Sequence, residues 1–301
     1  MAALNTQRIM GTVLVALLPG AAALMWFYGL AYLPRLAFAV ALGLALEAAA
    51  LGLQARPLRP TLTDGSTSVT CVLLVLALPP NTSLWVLATA VLAAVGLGKH
   101  LYGGLGGNPF NPAAVGYAVV LVSFPAALAT WPVPTDGVTS ATPLTTFFHR
   151  GGQTVAEVWS YERGFGAVGG YAWEWINAAF LLGGAVLIVR RIAAWRVPAA
   201  LLGSLGLLAA LFYAEGGSAS LGSPLFHWTT GATLLAALFF ATDPVTHPAT
   251  ARGQILFGCI IGVVTFVVRG FGNYPDGLVF GILLANAATP YLDRRLVTAH
   301  G

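Results

Sequence analysis

The sequence predicts an all-α polytopic membrane protein of about ten transmembrane helices in two inverted five-helix halves. Three observations predict it. Hydrophobic residues fill 57% of the 301 positions and charged residues only 8%, against roughly 25% charged in a soluble domain. So few charges cannot cover a water-soluble surface of this size. The charges lie at the ends of long apolar runs, and each run approaches the roughly 20 residues that a helix needs to cross a bilayer. A signature of glycine, asparagine and proline also occurs twice, at matching places in the two halves.

In order, the first run covers 9–33. It has no small-residue cleavage site followed by a polar stretch, so it reads as an anchor rather than a removed signal peptide. The second, 35–53, carries Glu47, the one carboxylate drawn deep inside a run. Burying it ionised is costly, and Arg56 and Arg59 are its expected partners; a proton or sodium relay is the sharper alternative. Runs 66–80 and 84–98 lead to Gly104-Leu-Gly-Gly-Asn-Pro-Phe-Asn-Pro, which opens run 112–130. After a long loop, 131–172, come runs 173–192, 197–215, 227–242, 254–269 and 277–292. The last of these is opened by Gly270-Phe-Gly-Asn-Tyr-Pro-Asp-Gly. Both signatures read Gly-x-Gly, Asn, Pro and then an apolar helix. An odd number of segments per half makes the halves run in opposite directions. Runs three, four and eight are short and flanked by Gly or Pro, as broken helices around a central site are. The chain is read as a single membrane domain, with the halves at about 9–130 and 173–292.

With the N-terminus in the cytoplasm, ten Lys and Arg residues fall inside and four outside, the bias that sets orientation. Both termini are then cytoplasmic and the 131–172 loop is external. Trp26, Trp131, Trp173, Trp175, Trp195 and Trp228 lie near segment ends and read as an aromatic belt. The net charge of +4 comes from sparse charges at run ends and does not point to nucleic acid. Cys71 and Cys259 sit far apart in apolar runs without C-x-x-C spacing, which argues against a protein-bound metal or a whole iron–sulfur site. The five histidines lie at ends and loops, which disfavours haem. Neither a Ser/His/Asp set nor a metal motif suggests a hydrolase.

The loop string Asp136-Gly-Val-Thr-Ser-Ala-Thr142 resembles the D-x-x-[ST]-G-A-T pattern at which a flavin transferase attaches FMN to threonine through its phosphate. Ser140 stands where glycine is usual. Three further strings, Gly103-Gly-Leu-Gly-Gly-Asn-Pro-Phe-Asn-Pro112, Phe239-Phe-Ala-Thr-Asp-Pro-Val245 and Tyr274-Pro-Asp-Gly277 with Leu283-Leu-Ala-Asn286, occur in order. Together they resemble the RnfD/NqrB family, membrane subunits of the Rnf and sodium-pumping NADH:quinone reductase complexes. The resemblance covers nearly the whole chain, and the short N-terminus is more similar to the RnfD branch.

The resemblance implies a urea-transporter-like fold in a bacterial inner membrane. It implies FMN as a phosphoester on Thr142, with Asp136, Thr139 and Ser140 completing the attachment motif. It also implies a noncovalent riboflavin near the cytoplasmic side, for which Asn108 and Asn111 match the family's Asn-x-x-Asn; Asp243 is a third candidate. Read from the residues alone, the two asparagines equally suit capping of the helix that starts at Pro112. Asp276 suits a cap, and Asp243 ends a short, broken run. The implied partners are an FMN-bearing G-like subunit, iron–sulfur subunits, a nicotinamide- or ferredoxin-facing module and the flavin transferase. The implied role is electron transfer between NADH and ferredoxin coupled to sodium or proton movement, with no stand-alone turnover. The alternative is a small-solute channel of the same fold. Against it stand the Thr142 loop, the ordered motifs and the long outer loop.

Overall fold

The computed structural model describes residues 6–132, 139–161, 164–272, 274 and 276–297. Its first helices, α1 (Thr6–Tyr28) and α2 (Tyr32–Leu53), are uninterrupted. The next segment is broken. A short α3 (Leu58–Leu62) and α4 (Ser66–Ala77) are separated at Gly65, whose φ of +82° is open to glycine at no steric cost. The Asp64 carboxylate accepts from the Ser66 amide at 2.7 Å and so starts α4. Two prolines, Pro79 and Pro80, end it. α5 (Leu84–Leu92) runs into π-helical turns over Ala93–Lys99. There Gly98 lets the chain pass so close to Pro112 that a Cβ would sit 2.8 Å from its Cα. α6 (Pro112–Ser123) and the short α7 (Pro125–Ala129) complete the first group.

The intervening loop is a small ordered cap. β1 (Thr130–Pro132) pairs antiparallel with β2 (Thr139–Ala141), followed by α8 (Pro143–Phe148) and α9 (Val155–Tyr161). Leu144, Phe147 and Phe226 form a separate apolar core beneath it, with Trp159 and Phe165 packed on. The Arg150 guanidinium donates to the carbonyls of Phe147, Ser218 and Ser220, and it lies 4.2 Å from the Phe147 ring centroid. The Glu174 carboxylate accepts from the amides of Val168 and Gly169, both at 2.7 Å.

α10 (Tyr171–Val189) and α11 (Arg196–Leu211) precede the second broken segment, α12 (Pro224–Thr229) and α13 (Thr233–Leu235), which continues as π-helical turns over Ala236–Phe240. The break lies at Gly231, with φ +66°. α14 (Ala251–Phe271) and α15 (Leu278–Val297) close the order. Among the described residues six helices are long and apolar enough to cross a membrane: Thr6–Tyr28, Tyr32–Leu53, Leu58–Ala77, Leu84–Tyr102, Tyr171–Val189 and Ala251–Phe271. Pro112–Ser123 and Arg196–Leu211 are shorter apolar helices.

Helices approach closely where glycine removes the side chain. A Cβ on Gly183 of α10 would lie 1.8 Å from the Ala16 carbonyl oxygen of α1. Cβ atoms on Gly258 and Gly262 of α14 would each lie 2.5 Å from a backbone oxygen of α11. This Gly-x-x-x-Gly contact is the small-residue packing that drives helix association in lipid, where apolar burial supplies no driving force.

The tryptophans divide in a way the belt reading misses. Trp26, Trp175 and Trp195 are exposed, whereas Trp131 and Trp173 are buried. These two rings meet edge-on at 5.0 Å, and Tyr28 packs on Trp131. Tryptophan near a segment end serves a belt or an inward-facing cluster equally well, and here the β1–β2 pairing turns Trp131 inward.

Candidate functional site

Two cavities lie at opposite ends of the helical core, and between them they collect most of the candidate residues. At one end, β2 delivers the chain to Thr142, the N-cap of α8. Its hydroxyl oxygen accepts from the Thr145 amide at 3.2 Å and lies 3.0 Å from the Thr145 hydroxyl. Thr142 is half-buried. It stands at the rim of a crevice of about 40 Å³ walled by Trp131, Trp173, Tyr117, Gly231 and Asp276. A second, more apolar crevice continues inward and shares Tyr117, Ala232 and Asp276 with the first. Thr139 and Ser140 lie in β2, with only their backbone described, paired with Pro132 and Trp131. Asp136 lies outside the described residues.

The floor of this crevice is the break in the second split segment, and its backbone groups are held by buried side chains, as apolar surroundings require. The Asn177 side chain donates to the Gly231 carbonyl at 2.8 Å and accepts from the Leu234 amide at 2.9 Å. Arg269, only 1% exposed, donates to the His227 carbonyl and the Thr233 hydroxyl, both at 2.9 Å. It also forms a two-point ion pair with Asp276 at 3.0 and 3.1 Å. Asp276 accepts from the Leu278 amide as well, at 3.2 Å. The cap expected of Asp276 is therefore present, but a buried guanidinium is its larger partner. Arg269, an external loop charge by its place in the sequence, is buried at the end of α14.

At the other end a cavity of about 70 Å³ is lined by Ser66, Lys99, Asn108, Asn111 and Asp243, with Met10, Leu187 and Phe239 as apolar walls. Asn111 caps α6 by accepting from the Ala114 amide at 3.0 Å, and its side chain donates to the Phe240 carbonyl at 3.1 Å. Its own amide donates to Asn286 at 3.0 Å. Asn108 accepts from the Gly106 amide and donates to the Phe110 carbonyl, which shapes the glycine-rich loop. Asp243 accepts from the Val245 amide at 3.1 Å and the Thr246 hydroxyl at 3.4 Å. Burial against the cavity wall pushes its carboxyl above the usual range, and those hydrogen bonds oppose the shift.

Beside this cavity lies a charged cluster whose pairing the sequence misjudges. Glu47 is fully buried and pairs with Lys99, not with Arg56 or Arg59. The Lys99 ammonium also donates to the Ser66 and Thr67 hydroxyls at 2.8 and 2.7 Å. Arg56 instead donates to the Gly103 carbonyl. The expected partners are nearest in sequence. The observed one lies 52 residues away and is brought in by the π-helical end of the α5 segment. His100, at the end of an apolar run in the sequence, lies 3.5 Å from Glu47 and is buried here too. The sequence signal for this cluster is a lysine directly after an apolar run that follows a buried glutamate.

The residues suit the groups that the resemblance implies better than the spaces do. Esterification of Thr142 keeps an acceptor oxygen on Oγ1, so its capping bond survives. A single water needs roughly 10–15 Å³ of such volume, so spaces of about 40 and 70 Å³ are tight for a three-ring flavin; a wider space of about 550 Å³ beside Arg8, Thr12 and Arg190 shares Ile9 and Ile192 with the second.

A mostly helical chain with six long apolar helices among its described residues, ion pairs at buried Lys99 and Arg269 and capped helix breaks is a multi-pass membrane protein. Its relatives are of the same kind. Residues 1–300 match the NQR2, RnfD, RnfE family, and the chain belongs to it. It is 44% identical to the D subunit of the ion-translocating oxidoreductase complex of Pseudomonas aeruginosa (strain LESB58), across 96% of this chain and 90% of that protein. It is 40% identical to the D subunit of the complex of that name from Aeromonas hydrophila subsp. hydrophila and 39% identical to that of Vibrio atlanticus. Each covers 96% of this chain, and the chain covers 92% and 93% of those proteins.

Proposed function

We propose that this chain is the membrane subunit of an Rnf-type ion-translocating oxidoreductase complex and that it carries FMN on Thr142. Membership of the family over the full chain, with relatives named as the D subunit of such a complex, is the observation that carries the reading. The flavin supplies the redox chemistry when bound. The protein holds it: Thr142 anchors the phosphate at the crevice rim, and Trp131 and Trp173 offer aromatic surface there. The Arg269–Asp276 pair keeps the floor of the crevice fixed. Activation of the threonine hydroxyl, a poor nucleophile unaided, falls to a separate flavin transferase. Electrons pass between NADH and ferredoxin through neighbouring FMN-bearing and iron–sulfur subunits, coupled to sodium or proton transport.

The fold proposed for this role is two inverted five-helix halves of urea-transporter type in a bacterial inner membrane. Thr142 is on the periplasmic side and the Asn108–Asn111 cavity on the cytoplasmic side. The two split segments and the paired glycine–asparagine–proline loops before α6 and α15 support that reading. A riboflavin at Asn108, Asn111 and Asp243 belongs to the same proposal. Parent and Asn111→Ala extracts that retain equal riboflavin would contradict it.

The test is in-gel fluorescence of the complex matured with its transferase. A denatured band of this chain that fluoresces as flavin, and loses the signal in Thr142→Ala, is expected. A fluorescent variant overturns the assignment to Thr142; a dark parent band removes the redox reading and favours a solute pore.

A further inference from the structure

Two buried cations in this chain have the same surroundings. In the first split segment, Gly65 takes a positive φ, Thr67 follows two residues later, and the Thr67 hydroxyl accepts from Lys99, 32 residues on. In the second, Gly231 takes a positive φ, Thr233 follows two residues later, and the Thr233 hydroxyl accepts from Arg269, 36 residues on. Each cation stands near the end of the helix that follows the split segment, Lys99 after α5 and Arg269 in α14, and each is neutralised by a carboxylate. Both cations and both threonines are almost wholly buried. Each set also walls one cavity: Ser66 and Lys99 at one end, Gly231 and Asp276 at the Thr142 end.

The arrangement carries an electrostatic tension. The start of a helix bears partial positive charge, so a cation beside it is repelled unless a carboxylate offsets it. The two carboxylates come from different places: Glu47 from α2 and Asp276 from the turn before α15. Their satisfaction differs as well. Both Asp276 oxygens are bonded, whereas Oε2 of Glu47 has no hydrogen-bond partner among the described residues.

We propose that Lys99 and Arg269 are two latches of one design, each holding shut the helix break that walls one cavity, so that the two ends of the molecule open separately. Using them to expose an ion path to one face at a time rests on the ion-translocating reading; the latches themselves rest on the geometry alone.

Cys71, fully buried in α4 beyond Gly65, is a native reporter for the first break. In a Cys259→Ser background, full-length chain in membranes is treated with N-ethylmaleimide and labelling at Cys71 is timed by intact mass. A second reporter, Ala232→Cys in a Cys71→Ala/Cys259→Ser background, reads the other break. Lys99→Met is expected to speed labelling of Cys71 by roughly tenfold or more, the scale of one lost hydrogen bond to a charged group, and to leave the thiol at position 232 unchanged. Arg269→Met gives the converse, and Lys99→Arg keeps the slow rate. Should Lys99→Met fail to accumulate, Lys99→Met/Glu47→Met removes the stranded carboxylate and still lacks the bond to Thr67, so it labels fast. Unchanged labelling of Cys71 in the Met variants, or faster labelling at both positions from either latch, overturns the proposal. Loss of flavin at Thr142 would refute the redox reading while leaving these rates as expected.

Discussion

Glu47 and Lys99 are the residues on which the interior is most sensitive. A buried ion pair contributes little net stability over an apolar pair, but removing one partner strands a charge in low dielectric at about 3–5 kcal/mol. Glu47→Gln is therefore expected to lower the thermal midpoint of the detergent-solubilised protein steeply, and Glu47→Met/Lys99→Met by much less than the sum of the single changes. Additive losses would show that the two side chains do not act as a pair. Asn111 is expected to cost about 0.5–2 kcal/mol on replacement by alanine through the lost cap of α6. The stranded Phe240 carbonyl adds to that, and the same thermal measurement reads it. The cap was legible in the sequence, because asparagine directly before proline suits the start of a helix. Its bond to Phe240 and the contact with Asn286, 175 residues away, were not, since no local rule reaches so far. Thr142 was legible only through the attachment motif. Of the aromatic walls beside it, Trp131 is placed by a β pairing too short to leave a periodic signal, while Trp173 and Tyr117 come from α10 and α6.

At the scale of elements, two of the three short runs expected to be broken, the third and the eighth, are split at Gly65 and Gly231, where glycine punctuates them; the fourth runs unbroken over Leu84–Tyr102, its shortness in the sequence coming from the Lys99 charge near its end. What the sequence hid is how they are held. The π-helical turns at Ala93–Lys99 and Ala236–Phe240 have no composition of their own, and the first of them carries Lys99 to Glu47. The loop 131–172 read only as long, although its aromatic residues pack with Phe226 as a small second core. The contact of α11 with α14 makes a direct prediction. A side chain at Gly262 would collide with the Ser204 hydroxyl at 2.1 Å and the Leu201 carbonyl at 2.5 Å. Gly262→Leu should force these helices apart at a cost of about 1–3 kcal/mol or more. Loss of the monodisperse peak in detergent chromatography would report it, whereas Gly203→Leu, on an open surface of α11, should leave the peak intact.

For the whole molecule, composition fixed the class and motif order fixed the family, while the side-chain networks that join the two ends emerged only in three dimensions. The second split segment spans that distance. Its break at Gly231 is the floor beneath Thr142, and its other end, Phe239 and Phe240, contributes a wall to the Asn108–Asn111 cavity and the carbonyl bonded by Asn111. One element thus borders both candidate cofactor sites. The redox role depends on what Thr142 carries. Digestion of the chain from its natively matured complex, followed by mass spectrometry of the peptide that contains Thr142, tests it most directly. The account predicts an FMN-sized addition localised to Thr142; an unmodified threonine in complex that still transfers electrons would contradict it.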